Sequence, residues 1–501
     1  MKLTATGSLT RHLSFLIIAA LMLSAASCAT RSGKLHRRDT VSIDLDSIRA
    51  RGKLIALTDF NSTNYFLYRG EPMGFQYEML QALSKHLGVG IEIVTENRID
   101  KAIDMLHTGR ADILAMNLAV TPPREKEIRF TEPISQTRHV LVQRKPDGWN
   151  EISAGEVENS LIREPSGLKG RTIYVQEHSS HAWYLRSLTK ETGRAFSVKE
   201  FPFESEELIQ LVDNGAIELA VCDEDIALVN STYYPAIDVN TPLGPVHEVS
   251  WGVRKTHSDQ LLAAIDEWIV SFRKTNTYAL LYAKYFRNPR SGAIAKSNYF
   301  TLTTGRISPY DDLIKTYSDT IGWDWRLLAS LICQESRFNP HVRSRVGAYG
   351  LMQIMPRTGK NFGIDITSSP GNNIYAGVKY INWLHSIFDP KIPDVHERVR
   401  FILAAYNAGP GHILDAMNLA AKFGYDPLVW KDNVEKWLQK KSESKYYSDS
   451  SVKNGYFRGI ESVAFVNEIL ERYEHYRNIV SENKYAISSS GTANWPGRRQ
   501  F

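Results

Sequence analysis

The sequence has 501 residues, of which 43% are hydrophobic and 23% are charged, and this composition is that of a globular protein and not of a disordered one. The length exceeds that of one ordinary domain, so we expect roughly two to four domains. The 60 basic and 55 acidic residues leave a net charge of +5, with the basic residues scattered along the chain, which argues against nucleic acid as a partner.

The first 28 residues have the features of an export signal. An apolar run at positions 13–23 follows basic residues and leads through small residues to Cys28; it is too short to remain as a bilayer-spanning helix. The small residues before Cys28 resemble a bacterial lipobox, although Ala25 replaces the usual leucine. The resemblance implies lipidation of Cys28 and anchoring at the periplasmic face of the outer membrane, with a soluble periplasmic form as the alternative. Residues 29–48 are polar and basic and are predicted to form a tether.

Strand and helix patterns then alternate. Residues 53–58, 91–94 and 111–115 are predicted strands, and residues 74–88 and 101–107 are predicted helices. Alternation through short turns indicates an α/β domain with a mainly parallel sheet. Ligands of such sheets usually bind at the carboxyl ends of the strands.

Several segments of this domain resemble the family 3 periplasmic solute-binding proteins. They are Gly-Arg-Ala-Asp-Ile at 109–113, Thr-Pro-Pro-Arg at 121–124 and Phe-Thr-Glu-Pro at 130–133, with a second-lobe echo at 168–175 and 214–223. The resemblance implies a two-lobed α/β domain, which we assign to residues 49–290, that clamps an amino acid or a peptide fragment of the cell wall and acts as a ligand-sensing regulatory domain.

The same resemblance assigns ligand-binding roles. Arg124, with Thr121 beside it, would hold a ligand carboxylate, which suits the planar fork of donors on a guanidinium. Asp223 would hold the ligand amino group. From the residues alone two alternatives stay open: Arg124 pairs with a neighbouring glutamate, or Asp223 belongs to a solvated acidic helix start.

A helical domain follows. Residues 291–306 are polar and are predicted to form a linker, and a hydroxyl cap, Pro309 and two aspartates mark a helix start that opens a domain at 307–481. Within it, the charged, serine-rich residues 440–455 are predicted to form a mobile loop. Residues 482–501 lack periodicity and are predicted to be disordered.

One carboxylate of this domain falls on an apolar helix face. Glu335 continues a stripe formed by Leu328, Leu331 and Ile332 at spacings of three and four residues. Burial disfavours a charged carboxylate and raises its pKa, as a general acid near neutral pH requires. Glu335 is therefore the candidate proton donor, and an ordinary structural glutamate is the alternative.

Four segments in this domain resemble the soluble-lytic-transglycosylase family, whose lysozyme-like helical fold cleaves peptidoglycan. They are Glu-Ser-Arg-Phe at 335–338, Gly-Leu-Met-Gln-Ile-Met-Pro at 350–356, Ala-Tyr-Asn-Ala-Gly-Pro at 405–410, and 458–466, where Ser462 and Phe465 depart from the family pattern. The fold class that follows from both resemblances is a two-lobed α/β domain followed by a mainly α-helical, lysozyme-like domain.

The second resemblance implies a single-acid reaction. Glu335 would protonate the β-1,4 glycosidic oxygen between MurNAc and GlcNAc and then act as the base that lets the MurNAc C6 hydroxyl close a 1,6-anhydro ring. Two alternatives remain: lysozyme-type hydrolysis, and a sensing lipoprotein whose second domain only docks on the cell wall. The implied substrate-binding residues are Ser336 and Gln353, which would orient the acid or the N-acetyl group, Tyr406 and Asn407, which would line the cleft, and Glu461, which would contact substrate or brace the fold.

Cysteines and histidines do not form a recognisable metal pattern. Cys222 and Cys333 occupy apolar contexts and are predicted to be buried thiols without a disulfide. His178 and His181 form the one close histidine pair and are interpreted as part of a loop or helix start. We predict no metal and no cofactor.

Overall fold

The computed structural model describes residues 41–192, 196–287 and 299–480, together with Ile294 and Ser297. Cys28 with the export signal, most of the tether and the tail at 482–501 lie outside the described residues. In the part of the chain that is described, no helix combines the length and the apolar character needed to cross a bilayer.

The strands form two mixed sheets and one hairpin. The first sheet has the order β4-β1-β5-β13-β6, with β7 also paired to β13; the second has the order β10-β9-β11-β8-β12; β2 pairs with β3. The strands are β1 Lys53–Thr58, β2 Phe66–Tyr68, β3 Glu71–Met73, β4 Gly90–Thr95, β5 Ile113–Ala119, β6 Ile128–Phe130, β7 Ser135–Thr137, β8 His139–Arg144, β9 Thr172–Gln176, β10 Ser197–Phe201, β11 Leu219–Asp223, β12 Ile237–Pro242 and β13 His247–Arg254.

Each sheet is the centre of one lobe. In the first, β1 runs parallel to β4 and β5 and β13 runs antiparallel to β5; in the second, β9 runs parallel to β10 and β11 and β8 runs antiparallel to β11. The chain passes between the lobes twice, from β7 to β8 and from β12 to β13. These two crossings form the hinge and confirm the two-lobed α/β prediction.

Helices cover the sheets and build the second domain. Those of the two-lobed domain are α1 Leu45–Arg51, α2 Phe75–Leu87, α3 Ile99–His107, α4 Pro122–Glu125, α5 Ala154–Ser160, α6 Ser180–Thr192, α7 Ser205–Asp213, α8 Glu224–Ser231, α9 Asp259–Phe272 and α10 Asn276–Tyr282. The later helices are α11 Thr301–Thr304, α12 Asp311–Asp319, α13 Trp325–Ser336, α14 Pro356–Asn361, α15 Pro370–Phe388, α16 Val395–Ala408, α17 Pro410–Lys422, α18 Glu435–Lys440, α19 Ser444–Tyr447 and α20 Ile460–Ile479.

Helix α13 is the central helix of the second domain. Its N-cap, Asp324, accepts a hydrogen bond from the backbone N–H of Arg326 at 2.9 Å, and every residue from position 327 to 333 is buried. The helix packs against α12 and α20. Arg337 and Phe338 then adopt φ angles of 50° and 59°, so the chain turns sharply at the end of the helix. This turn directly follows the segment that contains Glu335.

The two domains share one continuous apolar core. The β2–β3 hairpin reaches from the first lobe to the end of α13, and its turn residues, Arg69 and Gly70, have φ angles of 53° and 75°, as a tight two-residue hairpin requires. The Gly70 carbonyl accepts a hydrogen bond from the Tyr476 hydroxyl at 2.7 Å, and the Cys333 thiol lies 3.8 Å from the Arg69 carbonyl oxygen. The hairpin turn therefore packs against Cys333, which precedes Glu335 by two residues in α13.

Two segments that were predicted to be a tether and a linker contain folded residues in the structure. Helix α1 begins inside the predicted tether at 29–48, with Asp44 as its N-cap. Within the predicted linker at 291–306, Phe300 is 2% exposed and packs its ring against Phe66 at 5.3 Å. A few apolar residues in a polar stretch are enough to dock it on the hairpin.

The serine-rich stretch at 440–455 is also folded. Lys441 is 0% exposed and its ammonium donates to Asp415 Oδ2 at 2.7 Å, while the same carboxylate accepts the backbone N–H groups of Lys453 and Asn454. This buried ion pair, supplied from α17, organises a segment whose own composition indicates a loop.

Candidate active site

Glu335 lies in the last turn of α13 and is largely but not fully buried. Among the described residues, no cation and no hydrogen-bond donor contacts its carboxylate, and burial raises its pKa to about 8. The group is therefore a neutral carboxylic acid at neutral pH.

Tyr406 joins this acid to the loop that follows it. Its hydroxyl, on α16, donates to the Met352 carbonyl at 2.7 Å. Burial, and then the neighbouring Glu335 carboxylate, raise the pKa of the Tyr406 phenol well above its usual range. Tyr406 thus stays protonated, holds the loop and lies near the acid.

Asn373 on α15 fixes the other side of the same loop. Its Oδ1 accepts the Met352 N–H at 2.9 Å, and its Nδ2 donates to the Tyr349 carbonyl at 2.9 Å. Gly350 has a φ of 82°, and a Cβ there would lie 2.3 Å from the Asn373 side chain. Glycine is required at position 350 because the amide occupies that space.

Gln353 is strained and anchored within the loop. Its φ is 46°, and its side-chain amide donates to the carbonyls of Gly350 and Val342 at 2.9 and 3.1 Å. The amide group therefore closes the loop on itself, which leaves Oε1 as the polar atom for other contacts.

The remaining predicted site residues fall into two groups. The Ser336 hydroxyl donates to the Ile332 carbonyl of its own helix at 3.1 Å, and Asn407 Oδ1 accepts from the buried Ser462 hydroxyl at 2.6 Å. These residues brace the surroundings of Glu335. Glu461, by contrast, is exposed and lies 3.5 Å from the equally exposed Arg458, which makes a weak surface pair.

An aromatic surface extends from Tyr406. The ring of Tyr380 lies 5.3 Å from the ring of Tyr406 and stacks on Trp383 at 5.6 Å. Trp383 is 44% exposed. Exposed aromatic faces next to a neutral acid suit a ligand that presents C–H faces and hydroxyls, as a sugar does.

The arrangement can donate a proton, and we find no second carboxylate in a comparable setting among the residues of this domain that the structure describes. Asp365 is exposed, and hydrogen bonds from Thr367 lower its pKa, so it is a charged loop-capping residue. Glycosidases with two catalytic carboxylates place both beside the scissile bond. The geometry here favours a single-acid route.

A second cleft lies between the lobes. We define the interlobe cavity as the space of about 50 Å³ lined by Arg124, Asp223 and residues of both lobes. Arg124 donates to the carbonyls of Ala119 and His178 at 3.1 and 3.3 Å, and burial lowers its pKa to about 10. Thr121 lines a neighbouring surface cavity with Arg124 and is not part of the interlobe cavity.

Asp223 already has partners. His181 Nε2 lies 3.1 Å from its Oδ1 and His139 Nε2 lies 4.0 Å away. Despite burial, the charges of His181, His139 and His247 lower its pKa. The predicted bond from Asp223 to a ligand amino group would have to compete with these imidazoles.

Three other carboxylates that the sequence did not indicate line the cavity: Asp59, Glu204 and Glu206. We call these three residues the acidic group. Burial raises the pKa of all three, that of Asp59 to about 6. Asp59 directly follows β1, so the rule that ligands bind at strand carboxyl ends could have identified it. Glu204 and Glu206 come from the opposite lobe and carry no local sequence signal.

The histidines near Asp223 were also missed. His139 and His247 are more than a hundred residues apart in the sequence, and their rings lie 4.6 Å apart because His247 pairs with Thr137, two residues before His139. The prediction of no metal site did not take this cluster into account. Cys222 and Cys333 are both buried and free, as predicted.

Family models match both domains of this chain. The model of the Transglycosylase SLT domain matches residues 312–429, and that of the Bacterial extracellular solute-binding proteins, family 3, matches residues 54–288. The solved structure of an ancestral amino acid-binding protein, a precursor of cyclohexadienyl dehydratase, aligns with 48% of this chain and 98% of its own, with 26% identity and a TM-score of 0.40.

Two relatives align over most of the chain. The membrane-bound lytic murein transglycosylase F of Desulfosudis oleivorans is 32% identical over 440 residues, which covers 88% of this chain and 92% of the relative. The protein of the same name from Pseudomonas putida is 29% identical over 455 residues and 90% of each chain.

Proposed function

This chain belongs to the membrane-bound lytic murein transglycosylase F family, and we propose that Glu335 is the acid with which it cleaves peptidoglycan. The enzyme is a lytic transglycosylase. The observation that carries the assignment of Glu335 is a largely buried carboxylate that no described residue neutralises and whose pKa burial raises to about 8.

The reaction consumes no water. Glu335 donates its proton to the glycosidic oxygen that links MurNAc to GlcNAc, and the bond from that oxygen to C1 breaks. The resulting carboxylate removes the proton from the MurNAc C6 hydroxyl, whose oxygen attacks C1 and closes the 1,6-anhydro ring. The substrate's own acetamido group stabilises the oxocarbenium-like centre between these steps, so one residue acts first as acid and then as base.

The neighbouring residues position this acid and the sugar. Tyr406 and Asn373 fix the loop at positions 350–353, and we assign Gln353 Oε1 a contact with the sugar because its Nε2 is already bonded within the loop. Asn407, held by Ser462, lines the cleft, and Ser336 stiffens the last turn of α13. Glu461 is assigned the outermost contact with the glycan, because it is exposed at the start of α20.

The test compares two carboxylates. Glu335→Gln removes the proton and keeps the shape, and Asp365→Asn does the same at the exposed loop carboxylate. We expect Glu335→Gln to lower the rate by at least about a thousandfold and Asp365→Asn to leave it within about twofold. Mass spectrometry of digested sacculi reads both rate and product. Full activity of Glu335→Gln overturns the proposal, and reducing ends in place of anhydro ends indicate hydrolysis.

We also propose that the two-lobed domain binds an amino acid or a muropeptide. Arg124 would hold its carboxylate and the acidic group would hold an amine, since Asp223 is occupied by histidines. The cavity of about 50 Å³ has room for only a few waters, so ligand binding requires the lobes to open. Calorimetry with soluble muropeptides should show binding that Arg124→Gln weakens at least tenfold; an unaltered affinity would contradict this assignment.

We propose that the hairpin turn communicates this binding to Glu335. Tyr476→Phe removes the hydroxyl bonded to the Gly70 carbonyl, and Tyr473→Phe, whose hydroxyl contacts Asp324, is the matched control. Soluble muropeptides should change the cleavage rate of the unaltered enzyme and of Tyr473→Phe, and change that of Tyr476→Phe much less. An equal response of all three proteins would contradict the proposal.

For localisation we propose a lipid anchor at Cys28 that holds the enzyme at the periplasmic face of the outer membrane. The names of the two relatives describe them as membrane-bound, which supports membrane association. Cys28→Ala should move the enzyme from the outer-membrane fraction to the soluble periplasm. Retention of the variant in the membrane would contradict lipidation at this residue.

A further inference from the structure

A compact cluster of metal-ligating side chains lies at the hinge between the lobes. His139 is the first residue of β8, Asp223 is the last residue of β11 and faces it in the strand register, and His247 is the first residue of β13. One ligand atom from each lies within 4.8 Å of the others. We call these three residues the hinge cluster. Its members come from both crossings of the chain between the lobes.

The imidazoles of the cluster present nitrogens that lack hydrogen bonds. His139 is 5% exposed, and its buried Nε2 has no hydrogen-bond partner among the described residues. The same is true of His247 Nε2, while the Pro245 carbonyl hydrogen-bonds to that ring. The bond must use His247 Nδ1–H, which leaves the Nε2 lone pair available. A ligating histidine ordinarily has this arrangement, with one nitrogen fixed by a carbonyl and the other on the metal.

We propose that the hinge cluster binds a divalent transition-metal ion, for which Zn²⁺ is the fitting probe. Two imidazole nitrogens and one carboxylate oxygen form a ligand set that Zn²⁺ accepts, with a fourth position left open. Ligands of tetrahedral zinc lie about 3.3 Å apart, so the three side chains move inward by rotation when the ion binds. His181, 3.1 Å from Asp223 Oδ1, orients the carboxylate from outside the cluster.

The position gives the ion a structural consequence. Because His139 and His247 lie on the two crossings, a shared ion ties both hinge strands to Asp223. It also neutralises the charge of the Asp223 carboxylate, which lines the interlobe cavity. The ion would therefore stiffen the hinge and set which groups in the interlobe cavity remain available.

The charge of Arg124 provides an internal check. This buried guanidinium interacts with Asp223 and His139, and it repels a cation at the hinge cluster. Replacing it by a neutral residue should tighten metal binding if the ion occupies this position. Adventitious binding at surface histidines would not respond.

The experiment uses the mature chain without a histidine tag, stripped with a chelator and titrated with Zn²⁺ against a chromophoric competitor. We expect one ion per chain, affinity lowered at least about tenfold in His139→Gln and in His247→Gln, and affinity raised at least about threefold in Arg124→Gln. His86→Gln, at an exposed histidine near the end of α2, is the matched control and should bind as the unaltered chain does.

Three results would overturn the proposal: no stoichiometric ion in the unaltered chain, histidine variants that bind Zn²⁺ as tightly as the unaltered chain, or no change of affinity in Arg124→Gln. Circular dichroism checks that each variant is folded. The fold should tolerate substitution of His247 better than that of His139, because His247 is only half-buried. If His139→Gln does not fold, Co²⁺ absorption of the unaltered chain decides: a tetrahedral spectrum supports the site, and a purely octahedral one overturns it.

Discussion

Burial acts to raise the pKa of both Glu335 and Asp223, but their neighbours differ, and the two pKa values shift in opposite directions. Both are largely withdrawn from water at the end of a regular element, one in the last turn of α13 and the other as the last residue of β11. The pKa of Glu335 rises to about 8, whereas that of Asp223 falls below its usual value. Burial sets the cost of a charge, and the neighbours decide whether the carboxylate carries that charge.

The difference separates a carboxylate that is neutral near pH 7 from one that stays charged. Glu335 has apolar neighbours and Tyr406, which offer no charge to stabilise an anion. Asp223 has His181, His139 and His247 around it and Arg124 nearby. A neutral acid can give up a proton in a reaction, while a fixed anion holds cations in place.

The largest effect that follows concerns the rate of cleavage at high pH. If Glu335 must be protonated, the rate should fall tenfold per pH unit above its pKa of about 8, so roughly a hundredfold between pH 8 and pH 10. Release of anhydro-muropeptides from sacculi, measured from pH 5 to 10, gives the profile. Circular dichroism at each pH controls for unfolding. A rate that is flat up to pH 10 would show that Glu335 titrates elsewhere and remove the contrast with Asp223.

The next effect is on stability at Asp223. Asp223→Asn leaves the buried Arg124 guanidinium without its anion, so the free energy of unfolding should fall by about 3 kcal/mol at pH 7. Because the folded pKa is lowered, the charge stabilises the fold above the unfolded pKa and is lost as pH falls through the folded value; the difference should shrink below about pH 4. Urea unfolding with a chelator present measures it.

Asp225 offers a matched control for this substitution. It lies two residues away and is also buried, yet burial and neighbouring carboxylates raise its pKa to about 7. It is mostly protonated at pH 6, so Asp225→Asn should cost less than about 1 kcal/mol there. An equal loss in both variants would mean that the cost reflects packing and not the charge.

Glu335→Gln should change the free energy of unfolding in the opposite direction to Asp223→Asn. A folded pKa raised above the unfolded value gives stability that is present below the unfolded pKa and disappears as pH rises toward about 8. The unaltered enzyme therefore buries a charge at pH 9 that the variant does not. We expect Glu335→Gln to be more stable by about 2 kcal/mol at pH 9, a value discounted for water that reaches the carboxylate, and equal within about 0.5 kcal/mol at pH 4. Urea unfolding at both pH values would contradict this if the variant were never the more stable.

The sequence indicates the surroundings of Glu335 better than those of Asp223. The burial of Glu335 has a local cause: an apolar stripe at helical spacing places it on a buried face, and the same pattern predicts the raised pKa. The partners of Asp223 could not be found in this way. His139 reaches it through antiparallel pairing of β8 with β11, and His247 arrives on a strand that returns from the other lobe.

The same distinction explains the segments that differed. Phe300 and Lys441 lie in stretches whose composition is polar, and their surroundings come from the hairpin and from α17. Asn373, which anchors the loop before Gln353, lies in a helix start that looks ordinary in the sequence. Local patterns predict the elements and their faces, whereas docking partners distant in sequence decide which polar residues are buried.

The smallest expected effect concerns a hydrogen bond between two neutral side chains, Ser462 and Asn407, in the same domain as Glu335. Ser462 is one of the two departures from the family pattern, yet its hydroxyl still donates to Asn407 Oδ1 at 2.6 Å. Ser462→Ala should lower the free energy of unfolding by about 1 kcal/mol and the cleavage rate by only a few fold, because a neutral hydrogen bond contributes less than a buried charge. Ser462→Thr keeps the hydroxyl and should restore both.

The rate measurement distinguishes positioning from packing. If Asn407 needs Ser462 for its orientation, the cleavage rate of Ser462→Ala falls at every pH. The pH at which the rate begins to fall, which we attribute to Glu335, then stays near 8. If that pH shifts in Ser462→Ala, Ser462 contributes to the electrostatic surroundings of Glu335. The acid would then be less isolated from polar groups than the contrast with Asp223 requires.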